Sequence, residues 1–581
     1  MYKKLLLVLL VGIVFASCKK NLAPLEDNHR TLEGIYADPY YAEGILMNAY
    51  TRLPTNGYSF NEVATDDAVT NDKFSGLLNM ATGSWSSANN PVDQWNNSFT
   101  AISYINLFLR EVDSVNWSYL NKDVRLLFKD RLKGESYALR GLFLLNLLQS
   151  HAGYSNSGEL LGVPIITQAL DVNSDFSKPR NKFDECLQQV YTDLTEAEKY
   201  LPLDFTDISA TQLPAKYNGI AVADYNRVFG SFNRERITSR IVKAVRARAA
   251  LLAASPAFNQ ASTTSKWVDA ANYAGIVLNL NGGLAGLDPQ GGLFYTNANV
   301  GAINLASNID QKEMLWRGSI SNTNNLEQNN YPPTLFGNGR VNPTQNLVDA
   351  FPMANGFPIT NSASGYVATN PYNSRDPRLK NYILVNGGTI SSTTVYTKSD
   401  APTNDAVNFL STSTRTGYYM RKLLNESVNA NPSNSSTQKH YPVHIRYTEL
   451  FLTYAEAANE AYGPDGASTF GFSARDVVAA IRKRAGISQP DAYLASITNK
   501  DDFRTLIHNE RRLELSFEGF RFWDLRRWKE SIVDPAKGVT INNNVYSIQN
   551  VENRQYKDFM YYGPIPLNEA LKANLQQNKG W

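Results

Sequence analysis

Apolar residues recur at spacings of three and four in several stretches of this chain, which is the period of a helix with one buried face. Phe183, Leu187, Val190, Leu194, Ala197 and Leu201 form one such stripe, and Pro202 ends it. Ile241, Ala244, Val245, Arg248, Leu251 and Leu252 form a second, with Arg236, Arg240 and Lys243 on another face. Leu450, Phe451, Tyr454, Ala457, Ala458 and Ala461 form a third, opposed by Glu449, Glu456 and Glu460 and stopped by Gly463-Pro464. Val477, Val478, Ile481 and Ala485 form a fourth, with Gly486 at its C-cap. From Lys133 to Gln149 the chain is apolar on most sides, as in a helix buried all round. Trp95 and Trp117 fall at positions that read as helical core.

Two regions break this pattern. Residues 54–94 and 281–445 are rich in Asn, Ser, Thr, Asp and Gly, with scattered rings and many prolines in the second. They read as irregular loops with a few short strands. A loop that long inside a compact unit implies a function for it. The predicted architecture is mainly α: paired amphipathic helices stacked in a TPR-like way, with a large loop-rich insertion. The helix spacing does not follow a strict 34-residue period. The predicted division is an N-terminal helical region (18–280), the insertion (281–445) and a C-terminal helical region (446–581), forming one compact unit.

Composition supports a folded chain with a substantial core: 43% of the residues are hydrophobic and 19% charged. A net charge of +2 gives no basic face for nucleic acid. Residues 1–17 read as a signal peptide. Lys3 and Lys4 form its basic end, and the apolar run Leu5 to Phe15 is too short to span a bilayer. Ala16-Ser17 before Cys18 resembles a bacterial lipobox, which would make Cys18 the lipid attachment site; a plain secretory signal is the other reading. Cys186 is the other cysteine and sits near an apolar helix face, so a small buried hydrophobe is expected there.

The densest chemistry lies in residues 510–528, ERRLELSFEGFRFWDLRRW. Nine of these nineteen residues are charged and five are aromatic. At 100° per residue, Phe503, Leu506, Ile507, Glu510, Leu513, Glu514 and Phe517 share one stripe, which puts two carboxylates on an apolar face. Such a pair can act in acid–base chemistry or bind a metal. Buried carboxylates must be paired, however, and arginines are close at hand. The expectation is a structural ion-pair network among Glu510, Arg511, Arg512, Glu514, Arg521, Asp524, Arg482 and Arg484, with Arg526 a further possible partner.

This segment resembles the C-terminal signature of the SusD/RagB family of nutrient-binding outer-membrane lipoproteins. Further landmarks occur in the family's order. These are Trp95 through Asn106, Gly134-Glu135 with Arg140 and Gly162-Val163-Pro164, residues 179–202, Pro343-Thr344-Gln345 through Phe351, Arg375-Asp376-Pro377-Arg378, Arg482 through Gly486, and Pro564-Ile565-Pro566 to Gly580-Trp581. Arg234 through Thr238 departs from the family pattern, as do the lengthened loop Ser155 to Leu161 and Lys19-Lys20 after Cys18. The resemblance implies a SusD-like fold built on TPR-like helix pairs. It also implies capture of an oligosaccharide, or less often a peptide, at the cell surface, and delivery to a SusC-like TonB-dependent transporter. The protein would be lipid-anchored in the outer membrane and face outward.

No catalytic constellation stands out. HExxH, GxSxG and P-loop motifs are absent, and Pro442 stands against a helical His440/His444 pair. No enzyme activity and no cofactor are expected, and no EF-hand spacing supports Ca²⁺ binding in the Asp/Asn-rich loops. The binding candidates are rings and polar groups in the loops: Tyr58, Asp66, Asp67, Phe74, Trp85, Asn89 and Asn90 in the first, and Tyr295, Tyr331 and Arg340 in the second. Phe294, Trp316, Asn329 and Asn330 accompany the latter, with Trp316 read as structural. A TPR-like protein-interaction scaffold without a small ligand, and a glycan hydrolase, are the rival readings.

Overall fold

The computed structural model describes residues 34, 38–53, 58–307, 309–400, 402–466 and 468–581. The signal peptide and Cys18 lie outside these residues. The fold is mainly α. The principal helices are α1 (Pro39–Tyr50), α2 (Trp95–Glu111), α3 (Lys122–His151), α4 (Phe183–Glu198), α5 (Val222–Phe229), α6 (Ser239–Ala254), α7 (Thr264–Leu280), α8 (Tyr447–Tyr462), α9 (Ala474–Ala485), α10 (Lys500–Glu514) and α11 (Arg521–Trp528). Each packs on a neighbour in the series α1, α2, α3, α4, α6, α7, α8, and α8 then meets both α9 and α10. This is a stack of successive helix pairs, so the TPR-like scaffold is a property of the fold.

Local chemistry explains the boundaries. The Asn121 side chain caps α3 by accepting from the amides of Asp123 and Val124. Gly134 sits inside α3 because a Cβ there would lie 2.7 Å from Leu201 at the end of the α4 segment. Ser473 and Asp476 form a capping box at the start of α9, and Gly486 ends that helix at φ +92°. In α8 every residue from Tyr447 to Glu460 is buried, so this helix is the axis of the stack. Trp117 is buried but lies in the turn after α2, where its indole N–H donates to the Val112 carbonyl. Phe517 likewise lies beyond α10, with φ +65°, although it stays buried.

The insertion is not structureless. Its strands pair two at a time, and every sheet among the described residues is two-stranded. Among the strands are β1 (Ala68–Thr70), β2 (Met314–Arg317), β3 (Ser321–Thr323), β4 (Val341–Pro343), β5 (Gln438–His440) and β6 (Val443–Arg446), with a hairpin of β7 (Ala536–Asn542) and β8 (Val545–Glu552) farther along the chain. β1 pairs with β4, β3 with β5, β2 with β6, and β7 with β8, all antiparallel. A second core holds this region together. It combines insertion residues such as Tyr331, Phe351, Leu379 and Tyr418 with Val63 and Ala68 from before it and Leu513, Phe517, Val539 and Ile541 from after it.

Candidate functional site

The 510–528 segment joins the two cores. Glu510 accepts from Arg378 Nη1 at 2.5 Å and lies 3.5 Å from Arg482. Glu514 meets Arg484 at 2.6 Å and Arg378 at 3.2 Å. Arg446 binds Glu518 at 2.7 Å and Glu313 at 2.8 Å, and Lys422 binds Glu518 at 2.6 Å. Burial would raise the Glu514 carboxyl, but Arg484, Arg446 and Arg378 outweigh it and hold the group down at about 2. Arg511 and Arg527 share Asp524, and Arg527 also reaches Glu456. Arg526 departs from the expected network. It has no carboxylate partner among the described residues and lies 3.5 Å from the Phe522 ring centroid, close to Trp85 and Tyr556. These residues tie helices to insertion, and their charges are committed to one another.

Several binding candidates also prove to be interior. Asp66 accepts from Arg512 Nη2 at 2.8 Å and Arg521 Nε at 3.0 Å, and Asp67 meets Arg512 at 2.5 Å. Both carboxylates are buried. Trp85 is 4% exposed, donates to Asn90 Oδ1, and packs its ring 4.9 Å from that of Trp581. Tyr331 is 1% exposed, and its hydroxyl donates to the Asn425 carbonyl. The Tyr295 hydroxyl donates to the Asn381 carbonyl, beside buried Phe294. Trp316 is buried, with its N–H on the Glu235 carbonyl. Asn89 is exposed, but its amide closes the local turn onto the Ser84 carbonyl. Sequence reading selected these residues by type; tertiary packing gave them partners inside the protein.

Tyr58, Arg340 and Phe74 fare differently. A cleft of about 490 Å³ opens between the first loop and the insertion, with Tyr58, Phe60 and Tyr441 as its rings. Its polar wall includes Asp72, Arg340, Asn325, Asn329 and His440. The β1–β4 pairing sets Thr70 opposite Val341, which brings Asp72 and Arg340 to one end of the cleft. The β3–β5 pairing sets His440 opposite Ser321 on another wall. Phe74 is 94% exposed on the turn between Asp72 and Ser75, both of which line the cleft.

The electrostatics here differ from those of the junction. Arg340 Nη1 touches only Asn71 Oδ1, at 3.3 Å, and has no ion pair among the described residues. Asp72 accepts from the Phe74 amide and likewise has no cationic partner there. The Tyr441 hydroxyl is buried without a hydrogen-bond partner. Unsatisfied donors and acceptors beside ring faces suit a polar ring compound such as a sugar. Asp72 is the one carboxylate on the cleft wall among the described residues, whereas carboxylate-pair hydrolysis uses two at a set separation. No group of three or more His, Cys, Asp or Glu that could hold a metal occurs among the described residues. Sequence reading missed Phe60, Asp72, Asn325, His440 and Tyr441. The alternation within β3 and β5 was too short to signal that His440 faces Ser321.

Comparison with known proteins agrees with this architecture. Residues 303–581 match the model of the SusD family, and residues 41–254 match a related model described as starch-binding and associating with the outer membrane. A SusD-like protein, P38, of Formosa agariphila is 31% identical over 123 residues, which is 21% of this chain and 23% of that relative's length. Among solved structures, a SusD-like protein of Bacteroides fragilis superposes with a TM-score of 0.70 at 21% identity, over 96% of this chain and all of the other. A SusD-like carbohydrate-binding protein of the same species gives 0.67 at 20% identity, over 92% and 98%. The surface glycan-binding protein A of Bacteroides fluxus gives 0.59 at 17%, over 94% and 100%. The structures share the fold, and the two models cover in chain order the helical scaffold and the junction that locks it: the chain belongs to the SusD/RagB family.

Proposed function

We propose that the protein is a non-catalytic binding lipoprotein of the outer membrane that captures an oligosaccharide in the cleft around Tyr58 and Arg340. The observation that carries this reading is the combination of ring faces with the unpaired side chains of Arg340 and Asp72. A sugar stacks its apolar face on a ring and spends its hydroxyls on such groups. Relatives described as carbohydrate- or glycan-binding support the same ligand class. In this reading Cys18 carries the lipid anchor, the cleft faces outward, and the captured sugar passes to a SusC-like TonB-dependent transporter. More than one acyl chain on Cys18 makes the attachment stable.

The test is binding by the purified, lipid-free protein to a panel of oligosaccharides and peptides, followed by calorimetry and by product analysis. Binding without cleavage, weakened about tenfold by Arg340→Ala, is the expected result. Cleavage would make the protein a hydrolase. Absence of small-ligand binding, with capture of several unrelated proteins, would make it an interaction scaffold. Co-purification of one large barrel protein with the anchored form, lost in Cys18→Ser, checks the transporter and the anchor.

A further inference from the structure

A second cavity, of about 520 Å³, lies on the other side of Tyr58, which lines both spaces. Much of its wall comes from the scaffold, through α3, α6 and the segment leading into α11, and the β2–β6 ladder with Tyr58 and Ser59 of the first loop completes it. Phe520 and Trp523 supply rings, and Trp316 and His444 form a further aromatic wall with centroids 4.7 Å apart. Burial, reinforced by Arg248, pushes His444 down to about 4, so its ring is neutral at ordinary pH.

The charged groups of this cavity are already matched. Arg248 pairs with Glu449, Arg446 with Glu518, and Arg511 and Arg527 with Asp524. A charged ligand would be desolvated there with no counter-charge to meet it. Among the polar groups left uncommitted are two amides and one guanidinium nitrogen. Asn146 and Gln149 stand three residues apart on one face of α3, half-buried, and their side-chain amides make no hydrogen bond to any described residue. Arg511 is 3% exposed, and its Nη1 is buried without a hydrogen-bond partner. A pair of amides, a lone donor and several rings are what a neutral, hydroxyl-rich ring requires.

We infer that this inner cavity is a second saccharide subsite, and that it takes the end of a neutral oligosaccharide whose other units lie in the outer cleft across Tyr58. The inference rests on the binding reading above and adds a length and charge specificity to it. The amides of Asn146 and Gln149 receive the terminal hydroxyls, and Arg511 Nη1 donates to a ring or hydroxyl oxygen.

The test uses the lipid-free chain and the malto-, cello-, xylo- and laminari-oligosaccharide series of two to seven units, with uronic-acid-terminated forms as charged counterparts. Affinity is measured by calorimetry on the native protein, Arg340→Ala, Asn146→Leu and Gln149→Leu. The α3 substitutions remove amides that make no hydrogen bond among the described residues, and unchanged melting checks the fold. Gln149→Glu serves as a second variant that places an unpaired charge in the cavity. The expected result is affinity that rises with length in one series, a loss of about tenfold for its longer members in each α3 variant, and poor binding of the charged forms. If long sugars bind and depend on Arg340 while the α3 variants stay within about twofold of native, the inner subsite is wrong and the outer cleft stands. If no series binds, both readings fall.

Discussion

The junction around Glu510 and Glu514 and the cleft around Arg340 are both built from charges and rings, yet they do opposite work. At the junction Arg378, Arg446 and Arg484 each meet a carboxylate within 3 Å. In the cleft Arg340 meets only an amide oxygen, at 3.3 Å. The lesson is that charge density marks where a fold is locked, while unpaired charge marks where it can bind. A paired, buried arginine has spent its hydrogen-bonding capacity; an unpaired one at a cleft wall keeps it for a ligand.

The sharpest way to break this contrast is to unpair the junction. Arg378→Ala leaves Glu510 and Glu514 without their shared donor, and a destabilisation of about 3–5 kcal/mol is expected by chemical denaturation. Glu510→Ala or Glu514→Ala should behave alike, as failures of folding. A stable Glu510→Ala protein that has lost sugar binding would place function at the junction after all.

A somewhat smaller effect separates two buried carboxylates by pH. Burial pushes Glu62 up to about 7, although the Gly519 amide donates to it. A raised acid keeps its proton in the folded state, so its contribution is full below the unfolded value of 4.5 and is lost as pH rises from there to about 7. The loss amounts to about 3 kcal/mol. Glu514, held at about 2, contributes in the opposite sense: its stabilisation is present above 4.5 and is lost as pH falls towards 2. Urea midpoints measured between pH 4.5 and 7.5 on the native protein and Glu62→Gln test this. The variant should gain stability relative to native as pH rises, and parallel curves would contradict the assignment.

Smaller still is the effect expected in the cleft. Arg340→Ala should cost about 1–2 kcal/mol of sugar binding by calorimetry and less than about 0.5 kcal/mol of stability, since no ion pair is broken. The least effect belongs to Phe74→Ser. A ring 94% exposed contributes little to folding, so melting should move by under about 0.5 kcal/mol. A modest loss of binding would show that the ring overhangs the cleft and touches the ligand.

Much of the scaffold was legible because periodicity is a local property. The stripes at 183–201, 241–252 and 450–461 became α4, α6 and α8, and Gly486 stands at its expected cap. The placement of Glu510 and Glu514 on a buried face followed from helical geometry. Their donors were only partly foreseeable: Arg482 and Arg484 are close in sequence, but Arg378 comes from the insertion and Arg446 from the strand that leads out of it, both more than sixty positions before Glu510. The loop candidates fared worse because exposure in a loop is not a local property. Trp85 reads as a free loop ring, and only Phe522, Tyr556 and Trp581, all far along the chain, bury it. Asp66 and Asp67 read as acids open to a ligand, and only α10 and α11 bring Arg512 and Arg521 to them.

By itself, then, the sequence determined the helices, their caps and the order of motifs that marks the family, because these depend on spacing along the chain. Tertiary structure decided which polar groups were consumed and which were left over. Arg340 meets Asn71 beside the β1–β4 pairing and shares a cleft wall with Asp72, and Asn146 and Gln149 line the inner cavity together with Trp523, all groups brought together from positions hundreds of residues apart. Pairing of charges is settled by distance in space, and that distance exists only once the two cores have closed on each other.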